Sequence, residues 1–316
     1  MLSMTDLYLN VRQSERILAN TCFAEKALRA TRRWKLCDDD RTILKGFAGL
    51  SEGASAFTLS NSSLRSASCR ALVDSFREYW EASLPVDVPA YFFTFTCDVG
   101  FTSDRLAVIR LRAFRRMLAD ALRQIGLSGI SQLEIQAVVN YPQQGAGRTL
   151  ILHAHSILWG VSKLRAIRTV IDELNADPRW SNPLSATPIV CRRLKGGMFE
   201  ALPLCYYLDK MPIAGKNRVP YRKKPGEYRF RDTMAGYRPE LALRVMEALS
   251  QISMFDAVVA TGDGVHVRRA WESRLAAAFP QLRRPDRDYL EDVALAWTSM
   301  REMNGSKNFL SINLIG

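Results

Sequence analysis

The chain contains only three histidines, and two of them, His153 and His155, stand one residue apart in the segment LILHAHSILWG. Apolar residues flank the pair on both sides, which is typical of a buried β-strand. Alternate residues of a strand point to the same face of a sheet, so the two imidazoles are expected to project together. Two neutral imidazoles at this spacing can bind one divalent cation and leave positions open for a third protein ligand, water and substrate. The pattern therefore predicts a catalytic metal site.

A third metal ligand is expected from the strand that precedes the histidines. The segment SQLEIQAVVN reads as a strand, and the loop YPQQGAGR joins it to the histidine strand as a hairpin. Glu134 is the favoured ligand, because its carboxylate adds negative charge to the site. The pairing register across this loop does not follow from the sequence, so Gln136 and Asp98 remain alternatives.

A tyrosine and a lysine form a second candidate group. The segment LCYYLDKMP places Tyr207 and Lys210 three residues apart, so on a helix they share a face. A tyrosine hydroxyl can act as a nucleophile, and a nearby lysine or metal ion favours the phenolate and balances charge on a phosphate under attack. Tyr206 would point about 100° away on the same helix. We interpret Tyr207 as the nucleophile and Tyr206 as a packing residue; the reverse assignment, or an aromatic packing pair without chemistry, stays open.

A mainly antiparallel sheet is expected to carry these side chains. Between Tyr91 and Pro212 the apolar pattern predicts, in order, a strand, a helix, a hairpin of two strands, a helix, a strand and a helix. The first helix is expected over residues 101–126, with Thr102 or Ser103 as its N-cap. The last helix is expected to have Pro203 in its first turn. This order is typical of an α+β fold with one face of the sheet covered by helices.

The chain divides into three predicted regions. Residues 1–84 are expected to be helical and have no role that we can assign from sequence. Residues 85–214 hold the candidate site. Residues 215–316 combine a basic hairpin with further helices.

Composition indicates the class of partner. The 316 residues carry a net charge of +12 and have an isoelectric point near 9.6, which indicates a polyanionic partner, either nucleic acid or an acidic membrane surface. No apolar run reaches the ~20 residues that cross a bilayer, so no membrane role is expected. The six cysteines form no C-x-x-C motif, which fits a reducing cytoplasm better than a disulfide framework.

A basic and aromatic segment over residues 216–238 is the candidate DNA surface. Its cations would neutralise phosphates, while interleaved tyrosine and phenylalanine rings could stack on bases. A solvated hairpin without a partner is the alternative. The cations singled out for DNA binding are Arg222, Lys223, Lys224, Arg229 and Arg231.

Taken together, these segments resemble the HUH endonucleases, and in particular the rolling-circle replication initiators. The segment FFTFTC resembles the first family motif, HAH the second, and YLDK the Tyr-x-x-Lys third motif; the three occur in the family order. The segment LEIQ resembles the Glu-bearing strand that precedes the histidines in many bacterial and phage members. The resemblance implies an RRM-like, ferredoxin-like antiparallel sheet flanked by helices.

The resemblance also implies a mechanism. His153, His155 and Glu134 would bind Mg²⁺ or Mn²⁺ at the scissile phosphate of single-stranded DNA, or of a hairpin, at a replication origin. Tyr207 would attack the phosphorus and stay joined to the 5′ end, with Lys210 assisting near the phosphate. The freed 3′-OH would prime a polymerase. A separate helicase is implied, because the chain has no G-x-x-x-x-G-K-[ST] motif.

Three other functions remain open from the sequence. A transposase with the same chemistry would carry the same motifs. A metal-dependent phosphohydrolase that activates water would need the histidines but not the tyrosine. A basic nucleic-acid-binding module without chemistry would need neither.

Overall fold

Within the described residues, an eight-stranded sheet with helices on both faces dominates the structure, which is a computed structural model. The described residues are 4–33, 36–50, 57–85, 87–105, 107–142, 147–162, 164–208, 214–220, 228–233, 236–280, 293, 295–297 and 299–300. Three helices precede the first strand, and the others alternate with strands or follow them.

The helices begin and end at residues suited to those positions. Asn61 accepts a hydrogen bond from the backbone N–H of Leu64 at the start of the third helix, and Gly126 ends the fourth helix in the left-handed conformation. The helices of the described chain are α1 (Met4–Arg29), α2 (Asp38–Ala48), α3 (Ser62–Ser83), α4 (Leu111–Ile125), α5 (Leu164–Ala176), α6 (Met198–Leu208), α7 (Pro239–Ser250), α8 (Met254–Ala257) and α9 (Gly264–Ala278).

Four antiparallel strands form the centre of the sheet. The strands are β1 (Ala90–Phe95), β2 (Phe101–Ser103), β3 (Ser128–Val138), β4 (Thr149–Trp159), β5 (Ile189–Leu194), β6 (Lys216–Pro220), β7 (Tyr228–Asp232) and β8 (Val258–Thr261). The central order is β5-β1-β4-β3; β2 pairs with β4, and β8 pairs with β3. The β6–β7 hairpin joins β3 through one parallel pair. The expected α+β fold with a mainly antiparallel sheet is confirmed.

Helices cover both faces of the sheet, which corrects the expectation of one covered face. On the face that carries the two histidines, Trp159 packs against Phe76 of α3, with ring centroids 5.4 Å apart, and α6 and α7 also contact this side. The opposite face is covered by α4 and α5, and there Phe95 packs on Trp180 at 5.9 Å. The physical reason lies in β4, whose residues are buried throughout, so that both of its faces need a covering layer.

The helix expected over residues 101–126 starts later than predicted. Its first three residues instead form β2, which pairs with β4. The hydroxyls of Thr102 and Ser103 each accept a hydrogen bond, 3.2 Å long, from a backbone N–H of the following loop. These side chains therefore stabilise local turns instead of a helix cap. The helix ends at Gly126, as predicted.

Two other expectations about elements are wrong. Pro203, expected in the first turn of its helix, lies in the middle of α6. The helix begins five residues before this proline, at Met198. Because proline has no N–H, the helix lacks one hydrogen bond, the one to the backbone carbonyl of Phe199, which is an exposed residue. The second error concerns β8, which lies in a region expected to be helical and pairs with β3. Four residues are too few to reveal a strand period.

One contiguous cluster of buried apolar side chains extends from Leu9 in α1 to Met300. It draws on all three predicted regions, whose division after residues 84 and 214 stays a prediction. Within the described residues, no helix is long and apolar enough to cross a membrane.

Candidate metal centre

Strand pairing brings three candidate ligands to one point of the sheet. In the antiparallel register of β3 and β4, Glu134 lies directly opposite His153, and in that of β1 and β4, Thr94 lies opposite His155. Residues directly opposite each other point to the same face. This face of the sheet therefore presents two imidazoles, a carboxylate and a hydroxyl together. The register between β3 and β4, which the sequence did not determine, makes Glu134 the third candidate ligand.

The three ligand atoms form a small triangle. The Nε2 atoms of His153 and His155 lie 3.2 Å apart. Glu134 Oε2 lies 3.6 Å from the first of these nitrogens and 3.8 Å from the second. A point equidistant from the three atoms lies about 2.1 Å from each, within the ~2.0–2.2 Å of metal bonds to nitrogen and oxygen. The three atoms are therefore spaced so that they could bind one divalent ion.

The cluster is deeply buried, so the negative charge of its carboxylate needs a compensating positive charge. Glu134 is 2% exposed, His155 6% and His153 8%. A carboxylate at this depth loses most of its hydration, which costs several kcal/mol of free energy unless a positive charge compensates it. A divalent ion bound to all three groups would supply that charge.

Hydrogen bonds on the far side of each imidazole suit metal binding. His155 Nδ1 lies 3.0 Å from Thr94 Oγ1, and His153 Nδ1 lies 3.4 Å from the carbonyl oxygen of Ile151. Both oxygens can accept a hydrogen bond from an Nδ1–H group. In that tautomer each Nε2 carries no proton and is free to act as a metal ligand.

The two alternative ligands have other roles. Gln136 donates from Nε2 to the carbonyl of Ala214 at 2.7 Å and to the hydroxyl of Tyr237 at 3.0 Å. Asp98 is exposed and accepts a hydrogen bond, 2.7 Å long, from the backbone N–H of Val99. Among the described histidine, cysteine, aspartate and glutamate residues, the cluster with the two histidines contains Glu134 and not Asp98.

Tyr207 lies beside the cluster. Its ring centroid is 5.0 Å from that of His155 and 5.8 Å from that of Phe92, which itself stacks on His155. The position follows from α6, which packs on the histidine face of the sheet. Tyr207 is only partly buried, so part of this residue is accessible to solvent. Lys210 lies outside the described residues.

Tyr206 occupies a different environment. It is buried, and its backbone carbonyl accepts a hydrogen bond from the Cys69 thiol, with sulfur and oxygen 3.7 Å apart. Burial raises the pKa of Tyr206 to about 12, which disfavours the phenolate that a nucleophilic role would need. These features are typical of a packing residue.

A cavity of about 500 Å³ borders the two tyrosines and was not anticipated from sequence. It is lined by Arg12, Arg16, Phe199, Glu200, Pro203, Leu204, Tyr206 and Tyr207. The two arginines come from α1, whose packing against α6 brings residues nearly 200 positions apart together. No local pattern in the sequence signals such a contact.

The candidate DNA surface is described only in part. Arg231 is exposed on β7, opposite Asn217 of β6. Arg229 belongs to the same strand, but its side chain lies outside the described part, as do the whole residues Arg222, Lys223 and Lys224. Arg218 is a further cation of this hairpin. Its Cζ atom lies 3.4 Å from the ring centroid of Tyr228 and 5.7 Å from that of Tyr141.

Comparisons of the chain with profiles of known protein families, with curated proteins and with solved structures find no match. Any function assigned to the site therefore has to follow from its own geometry.

Proposed function

We propose that the protein is a metal-dependent single-stranded DNA nickase of the HUH type that initiates rolling-circle replication of a plasmid or phage. One observation carries this proposal. The ligand atoms of Glu134, His153 and His155 lie 3.2 to 3.8 Å from one another, and the ring of Tyr207 lies 5.0 Å from that of His155. A metal cluster and a candidate nucleophile thus lie side by side, in the order along the chain that the resemblance implies.

The arrangement of the central strands supports the proposal. Along the chain, β1, α4, β3, β4, α5 and β5 follow one another as strand, helix, strand, strand, helix and strand. In space the strands have the order β5-β1-β4-β3 with antiparallel neighbours. This succession is that of ferredoxin-like domains, the class to which RRM-like sheets belong.

In the proposed reaction Tyr207 exchanges one phosphodiester for another. Its phenol gives up its proton to solvent as the oxygen forms a bond to phosphorus, the bond from phosphorus to the 3′ oxygen breaks, and that oxygen takes up a proton from solvent to become a 3′-OH. A cation held by Glu134, His153 and His155 would supply positive charge at the scissile phosphate. The 3′-OH primes a polymerase, and a separate helicase unwinds the duplex. The assisting role of Lys210 stays a prediction.

A covalent adduct tests the proposal without knowledge of the origin sequence. The full-length protein is incubated with Mn²⁺ and a random-sequence pool of single-stranded DNA labelled at the 3′ end, then separated on a denaturing gel. Because Tyr207 would be joined to the 5′ end of the released fragment, the 3′ label should migrate with the protein. We expect the adduct to disappear with EDTA and with Tyr207→Phe.

The neighbouring tyrosine provides a matched control. Tyr206→Phe is the same chemical change one residue away, and we expect that variant to form the adduct. Cleavage without an adduct, unaffected by Tyr207→Phe, would instead favour the phosphohydrolase. An adduct that depends on Tyr206 and not on Tyr207 would overturn the assignment of the nucleophile, and a folded protein that neither cleaves nor forms an adduct would refute the nickase.

A further inference from the structure

We propose that Arg12 and Arg16 of α1, together with Phe199 of α6, form a subsite that binds a nucleotide of the DNA strand next to the scissile phosphate. The inference rests on the proposed function and extends it to the N-terminal region. It identifies a phosphate and a base as the groups recognised.

The cavity lies next to the proposed nucleophile. The cavity of about 500 Å³ that these residues line also borders Tyr207, whose ring contacts His155 of the metal cluster. A strand whose phosphate lies at Tyr207 therefore has the cavity directly beside it. Its volume lies within the ~300–1,000 Å³ of sites that bind small organic molecules.

Arg16 indicates what the cavity would bind. It is half-buried, and its Nε atom is shielded from solvent but makes no hydrogen bond within the described part of the chain. A charged group with a donor left in this state costs free energy, and a phosphate in the cavity that Arg16 lines would compensate the charge of its guanidinium. The planar guanidinium suits phosphate because it can donate two parallel hydrogen bonds.

The remaining charges of the cavity are compatible with an anion. Arg12 forms an exposed ion pair with Glu15, 3.0 Å long, and such a pair is weak enough to share the guanidinium with a phosphate. Glu200 also lines the cavity, but Arg192 and the backbone N–H of Gly196 bind its carboxylate. These two donors partly offset its negative charge.

Phe199 supplies a surface for a base. Its side chain is 69% exposed, although it is large and apolar and lies at the rim of a cationic cavity. Exposed aromatic rings beside cations are how proteins bind single strands without reading their sequence. The combination favours a nucleotide over a simple anion.

Binding is measured separately from cleavage. Fluorescence anisotropy of a labelled single-stranded oligonucleotide is followed in the Tyr207→Phe background, which keeps the ring and prevents an adduct. We expect Arg16→Ala to weaken binding about tenfold or more. Each of Arg12→Ala and Arg16→Ala should also reduce the salt dependence of log K by about 0.7, the value for one phosphate contact on a single strand.

Three comparisons make the result specific. Arg29→Ala removes the same charge from an exposed position of α1 about 20 Å along the helix, and should change affinity little. Arg16→Lys should keep the salt dependence but lose part of the affinity, which a purely structural role would not produce. Phe199→Ala should weaken binding about fivefold or more for an ordinary oligonucleotide and not for an abasic one.

The outcomes separate this inference from the proposed function. Loss of binding on Arg16→Ala supports the subsite even in a protein that forms no adduct. Equal binding by the Arg16→Ala and Arg29→Ala variants overturns it even in a protein that nicks DNA, as does a folded protein that binds no single-stranded DNA. Displacement of the oligonucleotide from the unaltered cavity by millimolar inorganic phosphate would reduce the site to a simple anion site and overturn the nucleotide assignment.

Discussion

Replacing Glu134 with glutamine should separate metal binding from folding. Glutamine keeps the shape of the side chain and removes its negative charge from a position that is 2% exposed. Without metal, the wild-type protein keeps that charge buried between two imidazoles, with Oε2 3.6 and 3.8 Å from their Nε2 atoms. We expect Glu134→Gln to unfold at an equal or higher temperature than wild type in EDTA, since a buried carboxylate that no positive charge compensates costs several kcal/mol.

Adding Mn²⁺ should reverse this ranking. A ligand at 100 times its dissociation constant stabilises the folded state by ~2.7 kcal/mol. Unfolding entropy of ~2.1 cal/mol/K per residue over 316 residues converts this free energy into a rise of about 4 °C in melting temperature. The wild-type protein should show that rise, and Glu134→Gln should lose most of it, because it lacks the anionic ligand.

The measurement is a calorimetric melt over a series of Mn²⁺ concentrations, with EDTA as the zero point. Glu78→Gln is the matched control, because it removes a carboxylate that is mostly exposed and paired with Arg274. It should keep the full Mn²⁺-dependent rise. If Glu134→Gln responded to Mn²⁺ as strongly as wild type, the cluster would not be where the cation binds.

Two more predictions concern neighbours of the site. Thr94→Val removes the hydroxyl next to His155 Nδ1 and should weaken Mn²⁺ binding, measured by isothermal titration, about 10- to 100-fold while leaving the fold intact; unchanged affinity would exclude an orienting role. Tyr206 has a pKa of about 12 when folded against ~10 unfolded, so its contribution to stability is complete below pH 10 and declines as the pH rises towards 12. Urea unfolding at pH 9 and pH 11.5 should show a loss about 2 kcal/mol larger for wild type than for Tyr206→Phe, and equal losses would contradict the assigned burial.

The parts of the site that could be predicted are those set by local periodicity. The two-residue period of a strand places His153 and His155 on one face, and the 3.6-residue period of a helix separates the directions of Tyr206 and Tyr207. The register of β3 against β4 did not follow, because the connecting loop is long enough to permit several. The structure selects the register that places Glu134 opposite His153.

The parts that could not be predicted depend on contacts distant in sequence. Arg12 and Arg16 reach the cavity only because α1 packs on α6, and neither residue differs in sequence from an ordinary exposed cation. The late start of α4 has another cause. Thr102 and Ser103 are good N-caps by type, but their hydroxyls bind backbone groups of a loop that leads out of β2.

The metal cluster and Tyr207 are held by different kinds of structure, and this would determine what controls the proposed reaction. Backbone pairing of β3 with β4 brings the candidate metal ligands together, so their backbone positions follow from the sheet. Tyr207 is positioned by α6, which is anchored through the buried neighbours Cys205, Tyr206 and Leu208. The separation between the phenol and the cluster is therefore a matter of helix-on-sheet packing. If the protein performs the proposed phosphoryl transfer, a change that shifts α6 by a fraction of an ångström should alter its rate more than it alters metal affinity, since transfer depends steeply on the alignment of the reacting atoms.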